Sequence, residues 1–312
     1  MTICVHRIVM SAAVATTLAG ASLLAQAPAH SPQATFRSSV DLVSIQASVK
    51  DRRGRPVKGL TTADFEVRDN GLPRPILSMR SDQSSAVSLA ILVDMSGSMR
   101  VGPKMAMARQ AFDIIVSQLR QGEDEVALFT FDSALHERHT FTSNFGDLVG
   151  ALDDLRPFGS TSLYDATAAT ARRLSERPAS HKAIVILTDG IDTSSAMSAA
   201  EVSGFASSID VPVYVVATVP AIDEVQILEA ATHSTSSDGA DLRDLADWTG
   251  GQLVFAHTAV DNVTLASSML DELRQRYVLA IEAAGDHEWR RLEVRVRKSS
   301  AVVKARSGYF GG

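Results

Sequence analysis

A repeated alternation of apolar runs with helical patterns constrains the fold of this chain most strongly. Residues 88–93, 126–131, 183–187, 211–217 and 252–255 have the length and composition of buried strands. Apolar residues at helical spacing mark helices at about residues 104–120, 162–176, 199–209, 241–249 and 260–276. Shorter helices are predicted at residues 147–155 and 224–231, and a connection at residues 141–145. This order predicts an α/β fold, a doubly wound, mainly parallel sheet with helices on both faces.

The amino terminus has the layout of a secretory signal peptide. Arg7 is followed by an apolar run rich in small residues over positions 8–25, and Ala27-Pro28-Ala29 provides an A-x-A cleavage site. Residues 1–29 are therefore predicted to be removed, and the product is expected to be secreted or periplasmic, with possible association with the cell envelope. An uncleaved amino-terminal anchor is the alternative. Cys4 is the only cysteine, so the mature chain would contain no disulfide.

Composition excludes some classes of partner. The 312 residues are 45% hydrophobic and 21% charged, with a net charge of −6. No dense run of Lys and Arg is present, which argues against a nucleic-acid partner. No later stretch is long and apolar enough for a membrane helix, so no stable span is expected after signal cleavage.

The two ends of the chain have strand patterns. Residues 43–49 alternate apolar and polar, and Asp69-Asn70-Gly71 is a strong hairpin signal. Residues 277–281 form a further predicted strand, and residues 289–305 resemble a hairpin around Ser299-Ser300. Residues 30–85 and 277–312 are predicted to pack as one β-sandwich-like module, with residues 86–276 inserted between them. Two separate β appendages are the alternative.

Oxygen-bearing side chains follow the first buried strand of the α/β region at alternate positions. Asp94, Ser96 and Ser98 could converge around the turn at Gly97. A carboxylate and hydroxyls are hard ligands that suit Mg²⁺, Mn²⁺ or Ca²⁺. Taken alone, this pattern fits equally well a polar turn that caps the next helix.

Two further segments are expected at the same edge of the sheet. Thr161 precedes the helix at residues 162–176, and Asp189 follows the strand at residues 183–187. Because parallel strands end at a common edge, the topology brings both residues towards Asp94. Thr161 is either a helix cap or a hydroxyl ligand. Asp192 is expected to be exposed rather than a ligand.

These segments resemble the metal-ion-dependent adhesion site (MIDAS) of von Willebrand factor A domains. The resemblance rests on Asp94-Met95-Ser96-Gly97-Ser98, on Gly159 to Thr161, and on Thr188-Asp189-Gly190, and it places the domain at residues 86–276. The leading segment, with Asp64-Phe65-Glu66-Val67, and the ending Gly308-Tyr309-Phe310 are similar to secreted bacterial "VWFA-related" proteins of the acidobacterial type.

The resemblance implies a binding module rather than an enzyme. Ser96 and Ser98 would bind the metal directly, Thr161 directly or through water, and Asp94 and Asp189 mostly through water. A carboxylate of a partner protein, from Asp or Glu, would complete the coordination of Mg²⁺, or of Mn²⁺ or Ca²⁺ in its place.

Two other functions stay open from the sequence. The first is a metal-dependent hydrolase that uses the same acids, although the chain has neither a Gly-x-Ser-x-Gly nor a His-Glu-x-x-His motif. The second is a scaffold protein whose metal site is vestigial.

Overall fold

A computed structural model describes residues 42–82, 85–178, 181–190, 192–208, 210–220, 242–255, 257–286, 288–297 and 301–311. The predicted signal peptide at residues 1–29 and the predicted helix at residues 224–231 lie outside these ranges. Val40–Gly312 forms a single unit. The predicted division at residues 30–85, 86–276 and 277–312 stays a prediction.

The central element is a six-stranded sheet of spatial order β10-β9-β8-β5-β6-β7. Neighbouring strands are parallel except at one edge, where the last strand in this order runs antiparallel to its neighbour. The strands are β5 (Val87–Asp94), β6 (Glu125–Phe131), β7 (Leu135–Thr142), β8 (His181–Thr188), β9 (Val213–Ala217) and β10 (Gln252–Phe255).

Helices cover both faces of this sheet, and we call the sheet and these helices the α/β domain. Strand β5 is buried along its whole length, and its side chains alternate between two apolar clusters. One cluster includes α1 (Lys104–Ser117) and α5 (Ala259–Arg274). The other includes α2 (Leu163–Ser175), α3 (Ala199–Ser208) and α4 (Leu242–Thr249). A strand buried on both faces needs a continuous apolar run, which is the pattern of residues 89–93.

The two ends of the chain build a β-sandwich of two antiparallel four-stranded sheets, with orders β13-β1-β11-β4 and β14-β12-β2-β3. Inward-facing residues of both sheets share one apolar cluster, as in other sandwiches. The strands are β1 (Leu42–Lys50), β2 (Phe65–Asp69), β3 (Leu72–Arg74), β4 (Ser78–Asp82), β11 (Arg276–Glu282), β12 (Trp289–Val296), β13 (Val302–Ala305) and β14 (Gly308–Phe310).

Three local predictions are wrong. Strand β7 pairs with β6 where no strand was predicted. The prediction failed because the side chains of β7 are exposed or only partly buried and show little apolar alternation. A short helix was predicted at residues 147–155, but a 3-10 helix (Phe145–Leu148) ends near its start and residues 149–154 form turns. Strands β12 and β13 are not a hairpin, since β12 pairs with β2 and β14 whereas β13 pairs with β1 in the other sheet.

The predicted fold class is confirmed: a doubly wound, mainly parallel sheet accompanied by a small sandwich of both chain ends. In the described part of the chain, none of the helices combines the length and the apolar character that crossing a membrane requires.

Candidate metal site

The candidate residues lie where β5 and β8 end. These strands are direct parallel neighbours, with Val93 opposite Leu187. The chain builds the sheet outwards from this pair in both directions, so their carboxyl ends form the topological switch point of the sheet. Ligands of open α/β sheets bind in the crevice at that point. The fold therefore places Asp94 and Asp189 side by side at the expected edge.

Asp94 organises the loop that follows β5. Its carboxylate is fully buried, and one oxygen accepts a hydrogen bond of 2.8 Å from the Ser96 amide. The other oxygen accepts a hydrogen bond of 2.6 Å from the Thr188 hydroxyl at the end of β8. Asp94 thus fixes the start of its own loop and joins the two strands that carry the acids.

Ser96 and Ser98 bring their hydroxyl groups together. Their Oγ atoms are 2.9 Å apart, although Ser96 is buried and Ser98 is only partly buried. The turn predicted at Gly97 is the first residue of a short 3-10 helix (Gly97–Arg100). The positive φ angles of the site are at Gly159 (φ 103°) and Gly190 (φ 98°).

The two carboxylate oxygens of Asp189 have different surroundings. The side chain is only 1% exposed, and Oδ2 accepts a hydrogen bond of 2.8 Å from Lys104 Nζ, with which it forms an ion pair. Its Oδ1 is buried without a hydrogen-bond partner among the described residues. A buried carboxylate oxygen without a donor is costly, so this atom is a natural position for a cation or for water bound to one.

Thr161 reaches the site through backbone contacts of its loop. The Gly97 amide donates to the Gly159 carbonyl at 2.9 Å, and the Phe158 amide donates to the Met95 carbonyl at 2.6 Å. Thr161 itself is 3% exposed and does not cap the helix, since Ser162 holds the cap position of α2. The structure therefore fastens the Thr161 loop to the Ser96–Ser98 loop.

Asp192 acts as a support for this loop. One of its carboxylate oxygens accepts from the Leu163 amide at 2.7 Å and from the Ser195 hydroxyl at 2.6 Å. Its neighbour Thr193 accepts from the Thr161 amide through its hydroxyl at 2.9 Å. Asp192 is therefore engaged by hydrogen bonds at the start of α2, and it is partly buried rather than exposed as predicted.

The electrostatics of the site are dominated by two buried acids. Burial raises the pKa of Asp94 above its ordinary value, hydrogen bonds from Thr188 and Ser96 oppose this rise, and the charge of Asp189 adds to it. Two carboxylates so close at a buried edge favour a compensating positive charge. Lys104 supplies one such charge.

The residues fit a hard divalent cation. The donors are hydroxyl and carboxylate oxygens, and Asp189 Oδ1 has no other partner in the described structure. Among the described residues, no group of three or more His, Cys, Asp or Glu could hold a metal ion.

Two residues of the site were missed from the sequence. Thr188 belongs to the motif Thr188-Asp189-Gly190, yet its role as a hydrogen-bond donor to Asp94 follows only from the pairing of β5 and β8. Lys104 was placed at a helix start, and nothing in the sequence indicates that its side chain turns towards Asp189.

Comparison with known proteins agrees with this architecture. Residues 89–192 match the family model of the von Willebrand factor type A domain. A curated relative, the mouse calcium-activated chloride channel regulator 3A-1, is 29% identical over 144 residues, which are 42% of this chain and 16% of the relative. The matched segment thus spans a small part of that relative's length.

The solved structures to which this chain is similar include two bacterial proteins. The von Willebrand factor type A protein of Catenulispora acidiphila is 13% identical, with 87% of this chain and 74% of the other covered and a TM-score of 0.47. An aerotolerance-related membrane protein of Bacteroides fragilis NCTC 9343 is 18% identical, with 60% and 98% covered and a TM-score of 0.46.

None of these comparisons tests the acidobacterial-type subfamily, which stays a prediction. The matched residues contain most of β5, the Ser96–Ser98 loop, the Thr161 loop and the end of β8, which together carry every candidate ligand. Over residues 89–192, the α/β region of this chain is therefore similar to the von Willebrand factor type A domain.

Proposed function

We propose that the α/β domain is a metal-dependent binding module that holds a divalent cation and uses it to bind an acidic side chain of a partner protein. The cation would be Mg²⁺, or Mn²⁺ or Ca²⁺ in its place. When bound, it supplies an electrophilic centre that accepts a carboxylate oxygen as a ligand. The observation that carries this proposal is the buried Asp189 Oδ1, which has no hydrogen-bond partner in the described structure.

Each residue has a distinct part in this proposal. Ser96 and Ser98 bind the cation directly, because their adjacent hydroxyls offer neutral oxygens at the partly exposed end of the site. Thr161 binds it directly or through water. Asp94 and Asp189 orient water around the cation and balance its charge, and Asp94 also holds the loop in place. Few direct anionic ligands leave the cation able to attract a further carboxylate.

Substitution of Ser96 tests the cation site. In Ser96→Ala the amide that Asp94 accepts from is kept and only the hydroxyl is lost, so the loop should fold while cation affinity falls at least about tenfold. Calorimetric titration with Mg²⁺ and Mn²⁺ measures this. Ser117→Ala, on the exposed side of α1, is the matched control and should leave affinity unchanged.

The absence of saturable binding of Mg²⁺, Mn²⁺ and Ca²⁺ to the wild-type chain would contradict the proposal and favour the vestigial scaffold. If the cation binds, a pull-down with and without EDTA, using acidic partner proteins, tests the second half of the proposal. Retention that is insensitive to EDTA would count against a metal-bridged contact.

We propose that the protein is not an enzyme. We also propose that the signal peptide at residues 1–29 directs it out of the cytoplasm. His136 pairs with Asp132 at 3.4 Å, and His139 contacts the carbonyl of Thr140. Neither contact joins a histidine to the serines or acids of the site. Hydrolysis of ester or phosphate substrates that is lost in Asp189→Asn would reverse this conclusion.

A further inference from the structure

Lys104 carries a charge that the metal-binding proposal does not use. It is the first residue of α1, and its Nζ lies 2.8 Å from Asp189 Oδ2. The lysine side chain is 17% exposed and the aspartate 1%, so this ion pair is largely shielded from water. Shielded charge pairs interact far more strongly than surface pairs.

The helix itself does not explain a lysine at this position. The amino-terminal end of a helix carries partial positive charge, which disfavours a cation in the first turn. The first turn of α1 also has no acidic residue that would compensate for it. The partner that stabilises Lys104 is therefore the site acid Asp189, which lies in another part of the fold.

Charge counting shows what this lysine changes. Asp94 and Asp189 together bring two negative charges, and Lys104 reduces the net charge to minus one. A divalent cation then gives a net charge of plus one, whereas the site without the lysine would become neutral. Lys104 also engages only Oδ2 of Asp189 and leaves Oδ1 free.

We propose that Lys104 is a positioning residue that sets the charge of the site: it weakens cation binding and leaves the loaded site positive, which strengthens binding of an anionic ligand. This inference rests on the proposed function, because it concerns the same cation and the same carboxylate ligand. It adds that Asp189 is shared between a permanent internal cation and an exchangeable one.

Neutral replacements of Lys104 test the first half of the inference. Lys104→Met removes the charge and keeps the length, and Lys104→Gln keeps a polar end that can still donate to Asp189. Each variant should bind Mg²⁺ and Mn²⁺ about tenfold more tightly than the wild type in calorimetric titration. Lys104→Arg should stay within about twofold, and Lys58→Met, at an exposed lysine of the β-sandwich region, should not change affinity.

Thermal unfolding provides a readout that does not depend on the cation. In EDTA the midpoint of Lys104→Met should fall, because Asp189 is then buried without its counter-charge, and saturating Mg²⁺ should restore it. Lys104→Arg should melt like the wild type under both conditions.

Acetate is the probe for the second half of the inference, the stronger binding of an anionic ligand at the loaded site. With Mn²⁺ saturating, the paramagnetic relaxation of the acetate methyl protons reports binding of the carboxylate at the cation. Relaxation should be stronger with the wild type than with Lys104→Met or Lys104→Gln at equal site occupancy.

The outcomes separate the two proposals. If the wild type binds Mg²⁺ and both neutral variants bind it equally or more weakly, the inference on Lys104 is overturned and the proposed function stands. If only the neutral variants bind, Lys104 controls the site, and the proposed function fails for the native chain. If none of the proteins binds a cation, both are overturned. Equal acetate relaxation in the wild type and all variants would contradict the statement that Lys104 strengthens binding of an anionic ligand.

Discussion

At the scale of single residues, the site depends on a few buried oxygens whose partners come from distant parts of the chain. Asp94 accepts from Thr188 across the pair β5–β8, and this hydroxyl is its only side-chain donor from another strand in the described structure. Removal of that donor leaves a buried carboxylate oxygen unsatisfied. Such an atom costs about 1–3 kcal/mol, which is a large part of the stability of an ordinary domain.

We therefore expect Thr188→Val to lower the free energy of unfolding by about 1–3 kcal/mol, because valine has a similar shape but can neither donate to Asp94 nor accept from the Gly190 amide. Thr170→Val on α2 is the control, since the Thr170 hydroxyl is buried without a partner among the described residues and its loss should be neutral or stabilising. Urea denaturation of the metal-free proteins measures both. Equal losses in the two variants would show that burial alone, rather than the bond to Asp94, decides the effect.

At the scale of helices and strands, another buried aspartate organises the opposite end of the sheet. Asp124 is fully buried just before β6, and its oxygens accept from the amides of Val87 and Arg120. Its carboxylate also pairs with the guanidinium groups of Arg120 and Arg274. One side chain thus joins the start of β5, the segment after α1 and the end of α5.

The pKa of Asp124 is low for a physical reason. Burial would raise it, but the hydrogen bonds from Arg120, Val87 and Arg274 outweigh burial, so the pKa lies below its usual value. A lowered folded-state pKa stabilises the fold at pH values above the ordinary carboxyl pKa, and this contribution is lost as the pH falls through the folded-state value.

We expect Asp124→Asn to lower the free energy of unfolding at neutral pH by about 3 kcal/mol, because two arginines lose a shared counter-charge. The free energy of unfolding of the variant should also depend less on acid pH. The difference in this free energy between variant and wild type should therefore shrink as the pH falls below about 4. Denaturation curves recorded between neutral pH and acid pH check this. A difference that stays constant with pH would contradict the role of the carboxylate charge.

The elements themselves could be predicted to different degrees. Strands such as β5 and β8 were predictable, because burial on both faces demands unbroken apolar runs. The side chains of β7 are mostly exposed, so its pairing with β6 leaves no comparable pattern in the sequence. Asp94, Ser96 and Ser98 could be grouped by their spacing, whereas the contact of Lys104 with Asp189 depends on a side-chain direction that no spacing encodes.

At the scale of the whole molecule, buried charges join the α/β domain to the β-sandwich. Glu272 on α5 pairs with Lys50 of β1, and it accepts from the Tyr214 hydroxyl of β9 at 3.0 Å. Burial would raise the pKa of Glu272, but the charges of Lys304, Lys50 and Arg276 outweigh burial and lower it. This carboxylate is therefore ionised where the two parts of the fold meet.

We expect Glu272→Gln to lower the free energy of unfolding by about 3 kcal/mol, because Lys50 and its neighbours lose a buried counter-charge. Glu282→Gln, at an exposed position of β11, should change it by less than about 0.5 kcal/mol. Calorimetry at neutral pH compares the two. An equally small effect in both variants would mean that this charged contact contributes little to holding the domain and the sandwich together.

The pairing of β1 with β11 has a consequence for the order in which the protein can fold as it is made. Strand β1 ends at Lys50 and its partner begins at Arg276, so the entire α/β domain is synthesised between them. Until then β1 and β4 lack β11, the strand between them, and β2 lacks β12; unpaired edges are prone to wrong associations. Before the α/β domain folds, it is a long flexible loop between the early strands and β11. Once it has folded, it is a short rigid connection between them. The folded α/β domain thereby brings together the strands that precede it and the strands that follow it.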